Sequence, residues 1–137
     1  MSIKKYAVIG HPIGHTMSPF IHKRLFDLSG IKAEYGVLDI HPDNLAFEFE
    51  NTLKHLDGFN ITIPHKQNII KHIDTLDKKA QLYASVNTVD FKNGISTGYT
   101  TDPDGFLKAI TSVKITLKDR VVILGCGGVA RTMAYEA

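Results

Sequence analysis

Four short apolar runs punctuate the chain: KYAVIG (5–10), EYGVLDI (34–40), GFNITI (58–63) and RVVILG (120–125), with helix-patterned segments between them. Runs of this length bounded by turn residues read as strands. Strands separated by helices cannot be joined as tight hairpins, so the alternation calls for parallel pairing with helical crossovers. The expected class is therefore α/β: a mostly parallel sheet flanked by helices in three αβα layers. One exception is written in SVNTVDF-KNG-ISTG (85–98), where Asn93-Gly94 between two strand-like runs predicts a hairpin and one antiparallel strand.

The helices have their own signals. Ser18-Pro19 matches a serine N-cap followed by proline in the first turn, and Phe20, Ile21, Leu25 and Leu28 supply an apolar stripe before the stop at Gly30. Asp43 can cap a second helix with Leu45, Phe49, Leu53 and Leu56 at helical spacing. Helical segments are expected over 67–73 and 74–83, and another from Asp102 or Asp104 through Phe106, Leu107 and Ile110. The polar stretch 111–119 reads as a linker. It would divide a domain over 1–110 from a truncated second domain over 120–137.

A chain of 137 residues is ample for one core and short for two. A net charge of +2, without a run of like charges, argues against nucleic acid as a partner. The seven histidines are scattered and form no metal-binding array. Cys126 is the only cysteine, which fits a reducing cytoplasm. No apolar stretch reaches membrane-spanning length, and the N-terminal run is too short for a signal peptide.

Two motifs carry chemistry. GCGGVA (125–130), directly after an apolar run and opening a helix, fits G-x-G-x-x-G/A, with Gly125, Gly127, Gly128 and Ala130 forming the turn and Arg131 beside it. Glycines there let backbone amides approach a pyrophosphate at a helix N-terminus, which makes a dinucleotide the expected cofactor. The residue that selects NAD or NADP would fall ~20 residues further on, past the last residue of this sequence. Only the first strand and helix of such a domain are present, so the sequence reads as the front half of a longer enzyme. The second motif is NITIPHK (60–66). Its alternation points Ile61 and Ile63 at a core and Asn60 and Thr62 at the opposite face, with Lys66 just beyond the strand end. A solvated polar face and a pocket for a small polyhydroxylated anion both satisfy this pattern.

Taken together, GHPIGHTMSP (10–19), FNITIPHK (59–66), ASVNTV (84–89), GYTTDPDGF (98–106) and GCGGVAR (125–131) resemble the shikimate dehydrogenases, in order and over nearly the whole chain. The resemblance implies an NADP-dependent oxidoreductase that reversibly reduces 3-dehydroshikimate to shikimate in aromatic amino acid (chorismate) biosynthesis. It implies that Thr16 and Ser18 hold the substrate carboxylate, and that Asn60, Thr62, Asn87 and Asp102 meet the ring hydroxyls. Lys66 and Asp102 become the catalytic pair. Gly125, Gly127, Gly128, Ala130 and Arg131 fall at the cofactor. Thr16 stands where the family usually has serine, and Thr100 where it usually has asparagine. Family members are about twice as long, and their later half carries a terminal helix that packs back on the substrate domain.

The chemistry suits these residue types. Hydroxyls and orphan amides at a helix start can hold a carboxylate without an arginine. Carboxamides and hydroxyls both donate and accept, as a polyol ring requires. A lysine ammonium can protonate a nascent alkoxide, and a neighbouring carboxylate makes the proton a property of the pair. His65 reads as a surface histidine, Tyr83, Tyr99 and Phe106 as core, and Cys126 as a small filler. Two alternatives remain: a quinate/shikimate-type dehydrogenase, and a substrate-binding module without catalysis. Too little dinucleotide surface is present for the chain alone to turn over. The expected partner is a small-molecule substrate, without nucleic acid or membrane, and with a homodimer allowed.

Overall fold

The computed structural model describes residues 3–115, 117–118, 120–125 and 129–137. The chain forms two units, residues 1–99 and 100–137. In the first, six strands build one sheet: β1 (Lys4–Gly10), β2 (Ala33–Asp39), β3 (Gly58–Ile61), β4 (Thr75–Leu76), β5 (Thr88–Lys92) and β6 (Ile95–Tyr99), in the order β2-β1-β3-β5-β6-β4. β1 pairs parallel with both β2 and β3, and β4 pairs parallel with β6. β5 runs antiparallel to β3 and β6, so the sheet is mostly parallel with one reversed strand, as expected. The β5–β6 turn has positive φ at both Asn93 (54°) and Gly94 (78°), the backbone a tight hairpin needs.

Register explains burial. Ala7 to Gly10 of β1 are all buried, as befits a central strand covered on both faces. Ile9, Phe59, Ile61 and Val89 share a core with Leu45 and Phe49 of helix α2 (Leu45–Asn51), and with Leu53, Ile69, Ala80 and Val86. Ile9 stands opposite Ile61, and Val8 opposite Asn60, so the two sheet faces alternate as the sequence pattern requires.

Several local expectations change. Helix α1 spans Ser18–Ser29 and is preceded by Met17 as its N-cap, not Ser18. Its stripe is not core: Phe20 and Leu28 are each 69% exposed, and Ile21 and Leu25 are also exposed. The sheet-facing side instead carries His22 and Phe26, whose rings meet Tyr35 and Tyr6. Four residues apart, they stack one turn above the other. Asp43 does not cap α2, because a 3-10 turn over Pro42–Asn44 intervenes and the His41 side chain accepts from its amide. The helical segment expected over 67–73 is split into helix α3 (His65–Asn68) and a 3-10 turn (Ile69–His72). Residues 74–83 contain strand β4 before helix α4 (Lys78–Tyr83), because Asp74 binds Ser96 and draws the segment onto β6. Asp77 caps α4 by accepting the Ala80 N–H at 2.7 Å.

The second unit contains helices α5 (Asp102–Ser112) and α6 (Ala130–Glu136). Thr111 and Ser112, expected in the linker, belong to α5. Residues 120–125, expected as a strand, carry no strand assignment. A strand of a parallel sheet is held by ladder bonds to neighbours, and among the described residues of this unit none is paired with it. Leu124 is accordingly 95% exposed.

Phe49, 1% exposed, meets the rings of Phe59, His72 and Phe91 at the centre of the first unit. Phe49→Ala should cost about 3–5 kcal/mol of unfolding free energy, read as a lower urea midpoint.

Candidate functional site

Because β1 and β3 are parallel neighbours, the segments leaving their C-terminal ends emerge along one edge of the sheet. Such edges are where open α/β sheets bind ligands. His11 N–H donates to Ile63 O at 3.0 Å and Thr62 N–H to Ile9 O at 2.9 Å, lacing the two exits together. Gly10 permits the close approach, since a Cβ there would lie 2.6 Å from the Thr62 methyl. A cavity of about 350 Å³ opens at this edge, lined by Thr16, Ser18 and Thr62 with Val8, Ile13 and His15 among its neighbours. Three residues singled out from the sequence thus share one cavity.

Thr16 organises the entrance to α1. Its hydroxyl accepts the Ser18 N–H at 3.2 Å and donates to Ser18 Oγ at 3.1 Å. The cap role expected of Ser18 is displaced because Thr16 has taken its amide. Ser18 instead opens the helix, half-buried, where first-turn amides carry positive partial charge.

Asn60 lies on the α1 side of the sheet. Its Oδ1 accepts from Tyr35 Oη at 2.7 Å, and its Nδ2 faces Asn87 O at 3.4 Å and Thr88 Oγ1 at 3.1 Å. Thr88 Oγ1 donates in turn to Asn87 Oδ1 at 3.0 Å, which joins the two carboxamides. Lys66, on α3, is tied to the same region through its main chain, as its carbonyl accepts the Val86 N–H at 2.8 Å. The main chain of Asn87 is held on both sides: its carbonyl accepts Ile61 N–H at 2.8 Å and its N–H donates to Tyr99 O at 2.9 Å.

His65 overturns its expectation. It is fully buried, not superficial, and its Nε2 lies 2.7 Å from Ile40 O. The bond fastens the start of α3 to the chain leaving β2, so the residue beside Lys66 is a structural anchor. Proline punctuation and a neighbouring lysine made the segment look like an exposed loop; nothing local encodes the contact with Ile40.

Asp102 is the first residue of α5 and belongs to the second unit. Among the cofactor residues, Gly125 has φ +107°, a conformation that favours glycine, with open space where a side chain would stand. Ala130 begins α6, and Arg131 is exposed in its first turn. Gly127, Gly128 and Cys126 lie outside the described residues. The open space at Gly125 leaves room for the close backbone approach that the motif calls for. Among the described residues no three His, Cys, Asp or Glu side chains could hold a metal, and no helix is long and apolar enough to cross a membrane.

Tyr35, His22, Thr88 and the pair His11–Asp39 received no role from the sequence, although Thr88 falls in ASVNTV and His11 in GHPIGHTMSP. The His11–Asp39 pair sits at the ends of β1 and β2, with His11 Nδ1 2.6 Å from Asp39 Oδ1. This hydrogen bond holds the Asp39 carboxyl below its usual 3.8. A depressed folded value contributes stability above the unfolded value that is lost as pH falls through the folded one. Asp39→Asn should therefore lower the urea midpoint near pH 6, and its difference from wild type should shrink steadily below about pH 4.

The family model for the shikimate dehydrogenase substrate binding domain matches residues 8–89, more than half of the chain. A shikimate dehydrogenase (NADP(+)) of Methanocaldococcus jannaschii is 39% identical over 135 residues, covering 97% of this chain and 48% of its own length. Crystallised shikimate dehydrogenase from Aquifex aeolicus superposes with a TM-score of 0.92 at 36% identity, over 98% of this chain and 51% of that one. The Thermus thermophilus enzyme, solved in complex with NADP(H) and shikimate, gives 0.90 at 32% identity, over 98% and 51%. The chain spans about half the length of these relatives. On the family match, and with the same fold in each solved relative, this chain belongs to the shikimate dehydrogenase family.

Proposed function

We propose that this chain forms the substrate-binding half of an NADP-dependent shikimate dehydrogenase, acting on 3-dehydroshikimate and shikimate in cytoplasmic chorismate and aromatic amino acid biosynthesis. The observation that carries the reading is the convergence of Thr16, Ser18 and Thr62 on one cavity, with the Asn60–Thr88–Asn87 chain on the same sheet face. The relative from Thermus thermophilus with shikimate and NADP(H) bound supports the choice of ligands.

In this reading the substrate carboxylate docks at the entrance to α1. It accepts from the Thr16 and Ser18 hydroxyls and from first-turn amides, charge-assisted bonds that need no cationic side chain. Asn60, Thr62 and Asn87 meet the ring hydroxyls, Asn60 by accepting at the second lone pair of Oδ1 while its amine is held by Asn87 O and Thr88 Oγ1. NADPH, when bound, supplies the hydride for the ketone carbon, and Gly125, Gly127, Gly128, Ala130 and Arg131 would hold its pyrophosphate. Lys66 provides the proton for the ketone oxygen and offsets the negative charge that develops there; in the reverse direction it takes that proton back. Asp102, at the start of α5, keeps the catalytic carboxylate role that the family resemblance implies. The exposed apolar residues of α1, Phe20, Leu25 and Leu28, supply a face for the terminal helix expected from the rest of such an enzyme.

Turnover is best measured in a polypeptide joining this chain to a complete dinucleotide domain. There, Lys66→Ala should lower kcat for NADPH oxidation by ~10²–10⁴, with a smaller change in KM. Unchanged kcat would remove Lys66 from the chemistry. Calorimetry on the chain itself should register shikimate binding that Ser18→Ala weakens; heat for quinate but not shikimate would redirect the substrate assignment.

A further inference from the structure

Tyr35 lies near the middle of β2, the outermost strand on its side of the sheet, and matches none of the motifs of the site. It nonetheless joins α1 to β3 through its ring and its hydroxyl. Its ring stacks on His22 with centroids 4.1 Å apart and planes 10° from parallel. His22 Nδ1 donates in turn to the carbonyl of Ser18 at 2.9 Å. The Tyr35 hydroxyl reaches Asn60 across β1, donating to Oδ1 at 2.7 Å.

The orientation of the Asn60 carboxamide is decided by its other partner. Asn87 O is a main-chain carbonyl and can only accept, so the amine of Asn60 must face it. Oδ1 is then turned to Tyr35. Thr88 Oγ1, 3.1 Å from the Asn60 amine, accepts there, and its single proton goes to Asn87 Oδ1 at 3.0 Å. Every bond in the sequence Tyr35→Asn60→Thr88→Asn87 therefore points the same way. The chain begins at a phenol that must stay protonated to start it. Burial pushes the Tyr35 phenol well above its ordinary value, the Ser18 side chain offsetting part of the rise. The donor therefore persists throughout the neutral range.

We propose that Tyr35 is a positioning residue for substrate recognition, its hydroxyl holding the Asn60 carboxamide in the orientation that the Asn87 carbonyl selects, and with it the hydrogen-bond relay that presents the Asn60 and Asn87 carboxamides to the ring hydroxyls of the ligand. The inference rests on the shikimate-binding reading above. Without the phenolic proton, Oδ1 of Asn60 loses its part-buried donor, and both carboxamides gain freedom that binding must remove. A cooperative chain of this kind is weakened as a unit when its first donor is lost.

Tyr35→Phe keeps the ring on His22 and deletes only the hydroxyl. In the ligand-free protein it should shift the side-chain amide resonances of both Asn60 and Asn87; resonances that stay in place would overturn the relay whatever the ligand. In calorimetry with shikimate, Tyr35→Phe should weaken binding ~5–10-fold, the size expected for one oriented hydrogen bond. In a Thr88→Val background, where the relay is cut between Asn60 and Asn87, the same change should weaken binding by a clearly smaller factor than in the wild type. Wild-type binding with equal affinity in Tyr35→Phe would overturn the positioning role alone. Equal losses in both backgrounds would overturn the relay, leaving the Tyr35 hydroxyl to act on Asn60 alone. Absence of shikimate binding by the wild type, under conditions where its fold is intact, would overturn the substrate reading and this inference with it.

Discussion

The parallel pairing of β1 with both β2 and β3 is the constraint on which the rest of the first unit depends. It is what brings Gly10, Asp39 and Ile61 to one edge, so that the segments carrying Thr16, Thr62 and Lys66 all leave the sheet at the same place. A one-residue slip would invert the faces, sending Asn60 into the core and Ile61 toward α1. The register is over-determined against that slip. Ile9, Phe59 and Ile61 lock one face through the core they share with Phe49, and the Tyr35–Asn60 bond pins the other across β1.

The two faces of this sheet do different work. One is dry and interlocked, and provides stability. The other is half-buried and polar, held by hydrogen bonds from Thr16 to Ser18 and from His22 to Ser18, by the stack of His22 on Tyr35, and by hydrogen bonds from Tyr35 through Asn60 and Thr88 to Asn87. Buried polar networks are worth little net stability when complete and cost much when broken, so their value lies in holding one geometry. That is the property a site for a small polyhydroxylated anion needs, because a ligand with few apolar atoms gains affinity mainly through donors and acceptors already in place.

How far the sequence reveals this is uneven, for physical reasons. Alternation in NITIPHK put Ile61 in the core and Asn60 on the opposite face, and Asn-Gly placed the hairpin, because both signals are local; the alternation stops where β3 does, at Ile61, so Ile63, expected in the core, is 70% exposed. The misreadings concern long-range contacts. His65 is buried by a bond to Ile40, Asp74 is drawn to Ser96, and α1 turns His22 and Phe26 inward while Phe20 and Leu28 stay out. Nothing in a window of neighbouring residues encodes these pairings. Tyr35 is the clearest case: a tyrosine in a strand looks like ordinary packing until β1 sets Asn60 within reach of its hydroxyl.

The most direct test of the account is a crystal structure of this chain with shikimate bound at saturation. The ring should lie at the C-terminal edge of β1 and β3, with its carboxylate on Thr16 and Ser18 and its hydroxyls on Asn60, Thr62 and Asn87. A ring found elsewhere, such as the open groove between α1 and β2 lined by Phe20, Lys23 and Ile31, would contradict it.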